Sequence, residues 1–173
     1  MNDQRQVIFS QRLKILKNKN IEEILKDFLN EVLDNLEKIK IIYQKSNDEK
    51  SYLASIKNTL INSINDEKLI SISSLDKEKF YQEIKNTYLL KKQKRIELIG
   101  EKENNDLEKK IFLQIIDFTW RSHLQYLEQL RQVIGLRSYG QKDPLSEFKK
   151  EAFTLFEGLL EKIKNDVIKF LLN

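Results

Sequence analysis

Four glycines and one proline in 173 residues leave this chain few places to reverse direction tightly. All-β folds and doubly wound sheets spend Gly and Pro on their many turns. The expected fold class is therefore all-α. Hydrophobic residues at 40% and charged residues at 34% fit helices that bury one face and solvate the other.

The apolar residues recur at helical spacing. Phe9, Leu13 and Leu16 form a short stripe, and Ile21, Leu25, Phe28, Val32, Leu36 and Ile39 a longer one. Lys17-Asn18-Lys19-Asn20 between them reads as a bend or break. Nothing caps Met1 as a natural helix start, so the chain is expected to begin inside a helix belonging to something longer. Residues 45–51, Lys-Ser-Asn-Asp-Glu-Lys-Ser, read as a linker. Beyond it the pattern weakens. Tyr52, Ile56, Leu60, Ile61 and Ile64 predict a short helix, Leu69, Ile70, Ile72 and Leu75 are ambiguous, and Phe80, Ile84, Tyr88 and Leu89 predict another helix. Gly100 and the polar run through Asn105 mark the far boundary. Three segments follow: a long helix over 1–44, a small helical subdomain over 45–105, and a helical pair over 106–173.

The last segment is the most regular. Phe112, Ile116, Trp120, His123, Leu127, Leu130 and Ile134 keep close to a heptad seam, which Ile111, Ile115 and Phe118 are expected to widen. Gly135 and Gly140 bracket the place where this helix should end. Asp143-Pro144 then restarts one, with Asp as N-cap, Pro at the first helical position and Glu147 near the positive end of the dipole. The return helix is expected to bury Leu145, Phe148, Ala152, Leu155, Leu159, Ile163, Val167 and Phe170. At about 29 residues, each helix is roughly 43 Å long. Two matched helices with a short connection make an antiparallel hairpin, a finger with its tip far from its base.

Charge and motifs narrow the function classes. The net charge of +4 is the small difference between 31 basic and 27 acidic side chains. Their interleaving fits i,i+4 pairs on solvated faces better than a stripe tracking phosphates. The densest basic cluster, Lys85, Lys91, Lys92, Lys94 and Arg95, reads as such a face, and nucleic acid is not an expected partner. Without cysteine and with one histidine, the chain lacks the ligands of a structural zinc site and any disulfide framework. No apolar run approaches the roughly 18 to 20 residues that span a bilayer, and the polar N-terminus lacks a signal-peptide core. The expected location is cytosolic, at most peripheral to a membrane.

No nucleophile elbow, metalloprotease motif or phosphate-cradling glycine loop occurs, so neither catalysis nor nucleotide binding is expected from this chain. His123 on the seam reads as a core or interface histidine rather than a catalytic one. Tyr139 lies between Gly135 and Gly140, with Arg137, Gln141 and Lys142 nearby. A turn whose tyrosine folds back and an exposed contact tip both fit this pattern. Aromatic rings grip varied partners by area and stacking.

Two stretches carry a family resemblance. Ile115-Ile116-Asp117-Phe118-Thr119-Trp120-Arg121-Ser122-His123-Leu124, followed by Tyr126-Leu127-Glu128-Gln129-Leu130-Arg131-Gln132, resembles the first finger helix of SecA, the bacterial preprotein-translocase motor. Leu136-Arg137-Ser138-Tyr139-Gly140-Gln141-Lys142-Asp143-Pro144-Leu145 resembles that family's fingertip, and Glu147-Phe148-Lys149-Lys150-Glu151-Ala152-Phe153 the start of the return helix. Met1 to Ile8 resembles the long scaffold helix. The matches run in the family's order and cover about half the chain. The usual family tip is Arg-Gly-Tyr-Ala-Gln, whereas here the glycine has moved across the tyrosine, and Gly135 replaces a bulkier polar residue.

The resemblance implies a scaffold helix, a helical wing and a two-helix finger, without the two nucleotide-binding domains, the preprotein cross-linking domain or the zinc tail. It implies that Tyr139 contacts the translocating polypeptide and that Leu136, Arg137, Ser138, Gly140 and Gln141 shape the loop around it. The implied partners are the SecYEG channel, unfolded secretory preprotein and the SecA motor domains, with self-association through scaffold surface those domains would cover. ATP and magnesium belong to the complete family protein, and the implied place is the cytoplasmic side of the inner membrane. The alternative is a generic all-α scaffold or interaction module with no role in export.

Overall fold

The structure, a computed structural model, describes residues 2–60, 65–137, 140 and 143–173. Among these the chain forms seven helices and no strand: α1 (Asn2–Lys17), α2 (Glu22–Ser46), α3 (Glu49–Leu60), α4 (Asp66–Ser73), α5 (Lys77–Ile99), α6 (Glu101–Arg137) and α7 (Pro144–Leu172). The ambiguous segment around Leu69 is therefore helix α4, and the break over 18–20 separates α1 from α2. Ile61 and Ile64, expected to extend α3, lie outside the described residues.

Several expected boundaries move, each for a local reason. The polar stretch 45–51 is no linker: α2 continues to Ser46 and α3 starts at Glu49. Asn47 adopts the left-handed conformation (φ 54°) that closes a helix, and its neighbour Asp48 donates its own N–H to Tyr43 O at 3.1 Å. The Asp48 carboxylate then accepts from Ser51 N at 3.2 Å and Ser51 Oγ at 2.6 Å, capping α3. The polar composition was thus that of two caps back to back. Gly100 works similarly at φ 93°, where its N–H donates to Ile96 O and its carbonyl accepts from Asn104 N. One glycine separates α5 from α6, and the polar run 101–105 is helical.

The chain divides into two compact units, Met1–Lys19 with Lys110–Ile163, and Asn20–Lys109 with Lys164–Asn173. Both α6 and α7 contribute residues to each unit.

In the first unit, α1 buries Ile8 and Ile15, whereas the expected stripe is exposed: Phe9 by 52%, Leu13 and Leu16 by 50% each. The reason lies in two polar residues. Gln4, Ile8, Arg12 and Ile15 share one helical face. Gln4 Nε2 donates to Ala152 O at 3.2 Å, and Arg12 donates to both oxygens of Asp117 at 3.0 and 3.1 Å. Counting only apolar residues selected the neighbouring face.

In the second unit, α2 buries Leu25, Phe28, Leu29, Val32, Leu33 and Leu36. Tyr52 and Ile56 of α3, Leu69 and Ile72 of α4, and Phe80, Ile84 and Tyr88 of α5 are also buried. The Tyr81 hydroxyl donates to Asp34 Oδ1 at 2.6 Å, tying α5 to α2. Lys164 of α7 pairs with Glu31 and lies over the Phe28 ring, 5.6 Å from its centroid.

The basic cluster on α5 divides in two. Lys94 is exposed, but Lys92 pairs with Glu22 at 3.6 Å and holds that carboxyl below its usual range. Arg95 donates to Leu171 O at 2.7 Å, Asn104 Oδ1 at 3.2 Å and the fully buried Glu108 at 3.3 Å. Part of the expected solvated face is therefore an internal polar junction joining α5, α6 and the last turn of α7. Among the described residues, no helix is long and apolar enough to cross a membrane.

Candidate functional site at the α6 and α7 seam

The site begins with the pattern that makes α6 one-sided. Phe112, Ile116, His123, Leu127, Leu130 and Ile134 are buried along one face. Thr119 belongs to that face as well, although the apolar pattern did not select it. Phe118 does not widen the seam as expected: at roughly 100° per residue it lies well off the face, and it is 68% exposed. Toward the loop, Leu127, Leu130 and Ile134 form a cluster with Ala152, against which Phe148 and Leu155 pack. This brings the end of α6 and the start of α7 side by side.

Leu145 and Phe170 were expected in the seam but are 60% and 62% exposed. Leu145 precedes Phe148, the first seam residue of α7, and so lies beyond the packed cluster. Phe170 is left out because the buried face rotates. Ala152, Phe156, Leu159 and Ile163 share one face, while Val167, Ile168, Leu171 and Leu172 centre roughly 120° further round the helix.

Deeper in the seam, Trp120, His123 and Phe156 form an aromatic cluster. The Trp120 and His123 ring centroids are 5.5 Å apart, those of Trp120 and Phe156 6.4 Å, and those of His123 and Phe156 5.9 Å. The Trp120 to Phe156 contact is edge-on, a favoured geometry. His123 Nε2 lies 3.0 Å from Gln4 Oε1. An amide oxygen only accepts, so this nitrogen carries the proton. Burial pushes the His123 pKa down, which keeps the ring neutral at neutral pH. Gln4 therefore uses both ends of its amide, one on α6 and one on α7. Beside the cluster runs a groove of about 360 Å³ with Phe118, Tyr126, Leu155 and Gly158 among its walls. Among the described residues, His123 meets a glutamine and two rings, an arrangement that positions helices.

The loop itself is framed at both ends. Helix α6 runs through Gly135 and ends at Arg137, inside the segment that Gly135 and Gly140 bracket. On the other side, Asp143 accepts from Leu145 N at 3.3 Å and Ser146 Oγ at 2.7 Å. These bonds, that from Ser146 foremost, hold its carboxyl below the usual range. Asp143 and Pro144 thus start α7 as the sequence predicted, with Glu147 in the first turn. Of the expected contact residues, Leu136 is 74% exposed and Gly140 is exposed. Ser138, Tyr139 and Gln141 lie outside the described residues, as does the Arg137 side chain. Gln4, Asp117, Thr119 and Phe156 are the seam residues that apolar periodicity missed. For Gln4 the available signal was its place on the face of Ile8 and Ile15.

Among the described residues, no group of three or more His, Cys, Asp or Glu side chains is placed to hold a metal ion. With no glycine-rich phosphate cradle in the sequence either, no residue here is assigned to ATP or magnesium.

Residues 1–173 match the SecA Wing and Scaffold domain family. The chain is 43% identical over 173 residues to the protein translocase subunit SecA of Pelagibacter ubique (strain HTCC1062), covering all of this chain and 20% of that protein. It is 33% identical over 182 residues to the SecA subunit of Hyphomonas neptunium (strain ATCC 15444), covering all of this chain and 19% of that protein. Against the SecA subunit of Caldicellulosiruptor saccharolyticus it is 34% identical over 180 residues, again over the whole chain and 20% of the relative. The chain thus spans about a fifth of the length of these relatives. It belongs to the SecA Wing and Scaffold domain family.

Proposed function

We propose that this chain supplies the non-catalytic, cargo-facing part of a Sec export motor. In this reading residues 1–44, with α1 and most of α2, are part of the scaffold, 45–105 the wing, and 106–173 a two-helix finger whose loop reaches the mouth of the SecYEG channel. Tyr139 contacts the translocating preprotein there, and Leu136, Arg137, Ser138, Gly140 and Gln141 shape the loop that presents it. ATP and magnesium act in the motor domains, which the scaffold links, on the cytoplasmic side of the membrane.

The observation that carries the reading is the α6 and α7 seam within a family match over the whole chain. Leu127, Leu130 and Ile134 against Phe148, Ala152 and Leu155 fix the two helix ends that bracket the loop. A loop held at its base by packed helices transmits a push better than one on a free tether. The exposed Leu136 adds apolar area beside it. Aromatic and aliphatic contacts of this kind suit a cargo of varied sequence, because they depend on area rather than on one hydrogen-bond pattern.

Replacing Tyr139 in the complete motor tests the reading. Tyr139→Ala is expected to slow preprotein translocation strongly, while Tyr139→Phe, which keeps the ring, retains most of the rate. Equal translocation by Tyr139→Ala and the parent would refute the assignment.

A further inference from the structure

Helix α1 meets the loop-bearing helices through two kinds of contact. Ile8 and Ile15 bury the apolar part of its inner face. Apolar burial is non-directional, so it holds helices together while opposing a slide along their axes only weakly. The polar contacts beside it are directional, and they fix where α1 sits along its neighbours.

Gln4 reaches both neighbours at once. Its Oε1 accepts from His123 Nε2 on α6 at 3.0 Å, and its Nε2 donates to Ala152 O on α7 at 3.2 Å. One amide therefore sets the level of α6 against α7 as well as against α1. Ala152 also belongs to the cluster with Leu127, Leu130 and Ile134 that closes the base of the loop.

About 12 Å further along α1, Arg12 donates through Nε and Nη2 to the two carboxylate oxygens of Asp117, at 3.0 and 3.1 Å. Such a fork fixes orientation as well as distance. Gln4 lies opposite His123 and Arg12 opposite Asp117, so α1 runs antiparallel to α6. The Arg12 and Asp117 side chains are 41% and 43% exposed. An ion pair so open to water adds little to stability, because solvent screens its attraction. What it contributes is register.

We propose that Gln4 and Arg12 are positioning residues that carry movement of α1 to the loop at Tyr139, by locking α6 and α7 to α1 in one register. The inference rests on the reading of that loop as the preprotein contact. With both latches closed, α1 and the α6 and α7 segments of the first unit move as one body. With either open, the apolar seam lets α1 slip, and a motor stroke reaches the loop shortened.

The test uses the complete motor carrying Arg12→Met or Gln4→Met, substitutions that keep an unbranched apolar stem and remove the bonds. The measurement is the amount of preprotein translocated per ATP hydrolysed. Each variant is expected to lower that ratio about twofold or more, the scale on which single contacts modulate coupling between sites, with ATP turnover not reduced. The denaturation midpoint of the chain carrying Arg12→Met should stay within about 4 °C of the parent, as for an exposed pair. Arg12→Asp combined with Asp117→Arg restores a pair of opposite charges and should recover part of the ratio that Arg12→Asp alone loses. An unchanged ratio in both methionine variants, no recovery in the double variant, or a ratio that falls only in step with the midpoint would overturn the proposal. A photo-crosslinker at position 139 separates such a result from failure of the underlying reading. Crosslinks to a stalled preprotein that persist in the variants beside a lowered ratio support the latches, whereas crosslinks absent from the parent motor would overturn both.

Discussion

Arg95→Met is the most demanding test of how the second unit is held together. Methionine keeps much of the apolar stem and deletes the guanidinium. Three donated bonds disappear, to Leu171 O at 2.7 Å, Asn104 Oδ1 at 3.2 Å and Glu108 Oε1 at 3.3 Å. Two of these acceptors are neutral and contribute about 1 kcal/mol net each, while the charged one contributes about 1.5–3 kcal/mol. The sum is about 3.5–5 kcal/mol. A second route reaches a similar figure. Glu108 is fully buried, its Oε2 already lacks a partner, and removing one member of a buried ion pair costs about 3–5 kcal/mol. Asn104 Nδ2, 3.2 Å from Glu108 Oε1, remains but is uncharged.

Urea denaturation of the chain, followed by circular dichroism, measures the loss. Amide exchange should quicken in the last turn of α7, where Arg95 holds the Leu171 carbonyl. Adding Glu108→Gln to Arg95→Met should recover much of the loss, because the stranded charge is gone. A cost below about 1 kcal/mol for Arg95→Met, or full additivity of the two changes, would refute the reasoning.

Two further changes probe the first unit. Burial holds the His123 pKa below its ordinary value near 6.5, so the unfolded chain binds a proton there before the folded chain does. Stability from this group is intact above that value and falls as pH drops through 6.5 toward the lowered folded pKa. His123→Gln should flatten this part of the stability profile between pH 7.5 and 5, and a profile of unchanged slope would contradict the assignment. Gly158 lies inside α7, and a Cβ there would meet nothing within 4 Å. Gly158→Ala should stabilise the chain by about 1 kcal/mol through helix propensity, read as a higher denaturation midpoint; a lower midpoint would contradict it.

The legible parts of the sequence were those where one kind of force acts alone. Apolar spacing located α2 and the α6 seam, and Asp143-Pro144 located the start of α7, because burial and N-capping leave direct marks in residue type. Polar residues used for packing left weaker marks. Gln4 and Arg12 define the inner face of α1, and Arg95 and Glu108 sit inside a junction that composition alone assigned to solvent. Caps back to back at Asn47 and Asp48 looked like a linker, since the same small polar residues serve both purposes. At the candidate site, periodicity found the two helices and their loop. The role proposed for Tyr139 comes from the family resemblance, since no spacing rule contains it.

We propose that the loop between α6 and α7 touches the moving polypeptide. The most direct measurement of that contact places a photo-crosslinking amino acid at position 139 of the complete motor, engaged with the channel and a stalled preprotein. Crosslinks from 139 to the preprotein or to the channel mouth, and none from Lys50 on α3, are the predicted result. Absence of adducts from 139, with translocation itself intact, would contradict the account.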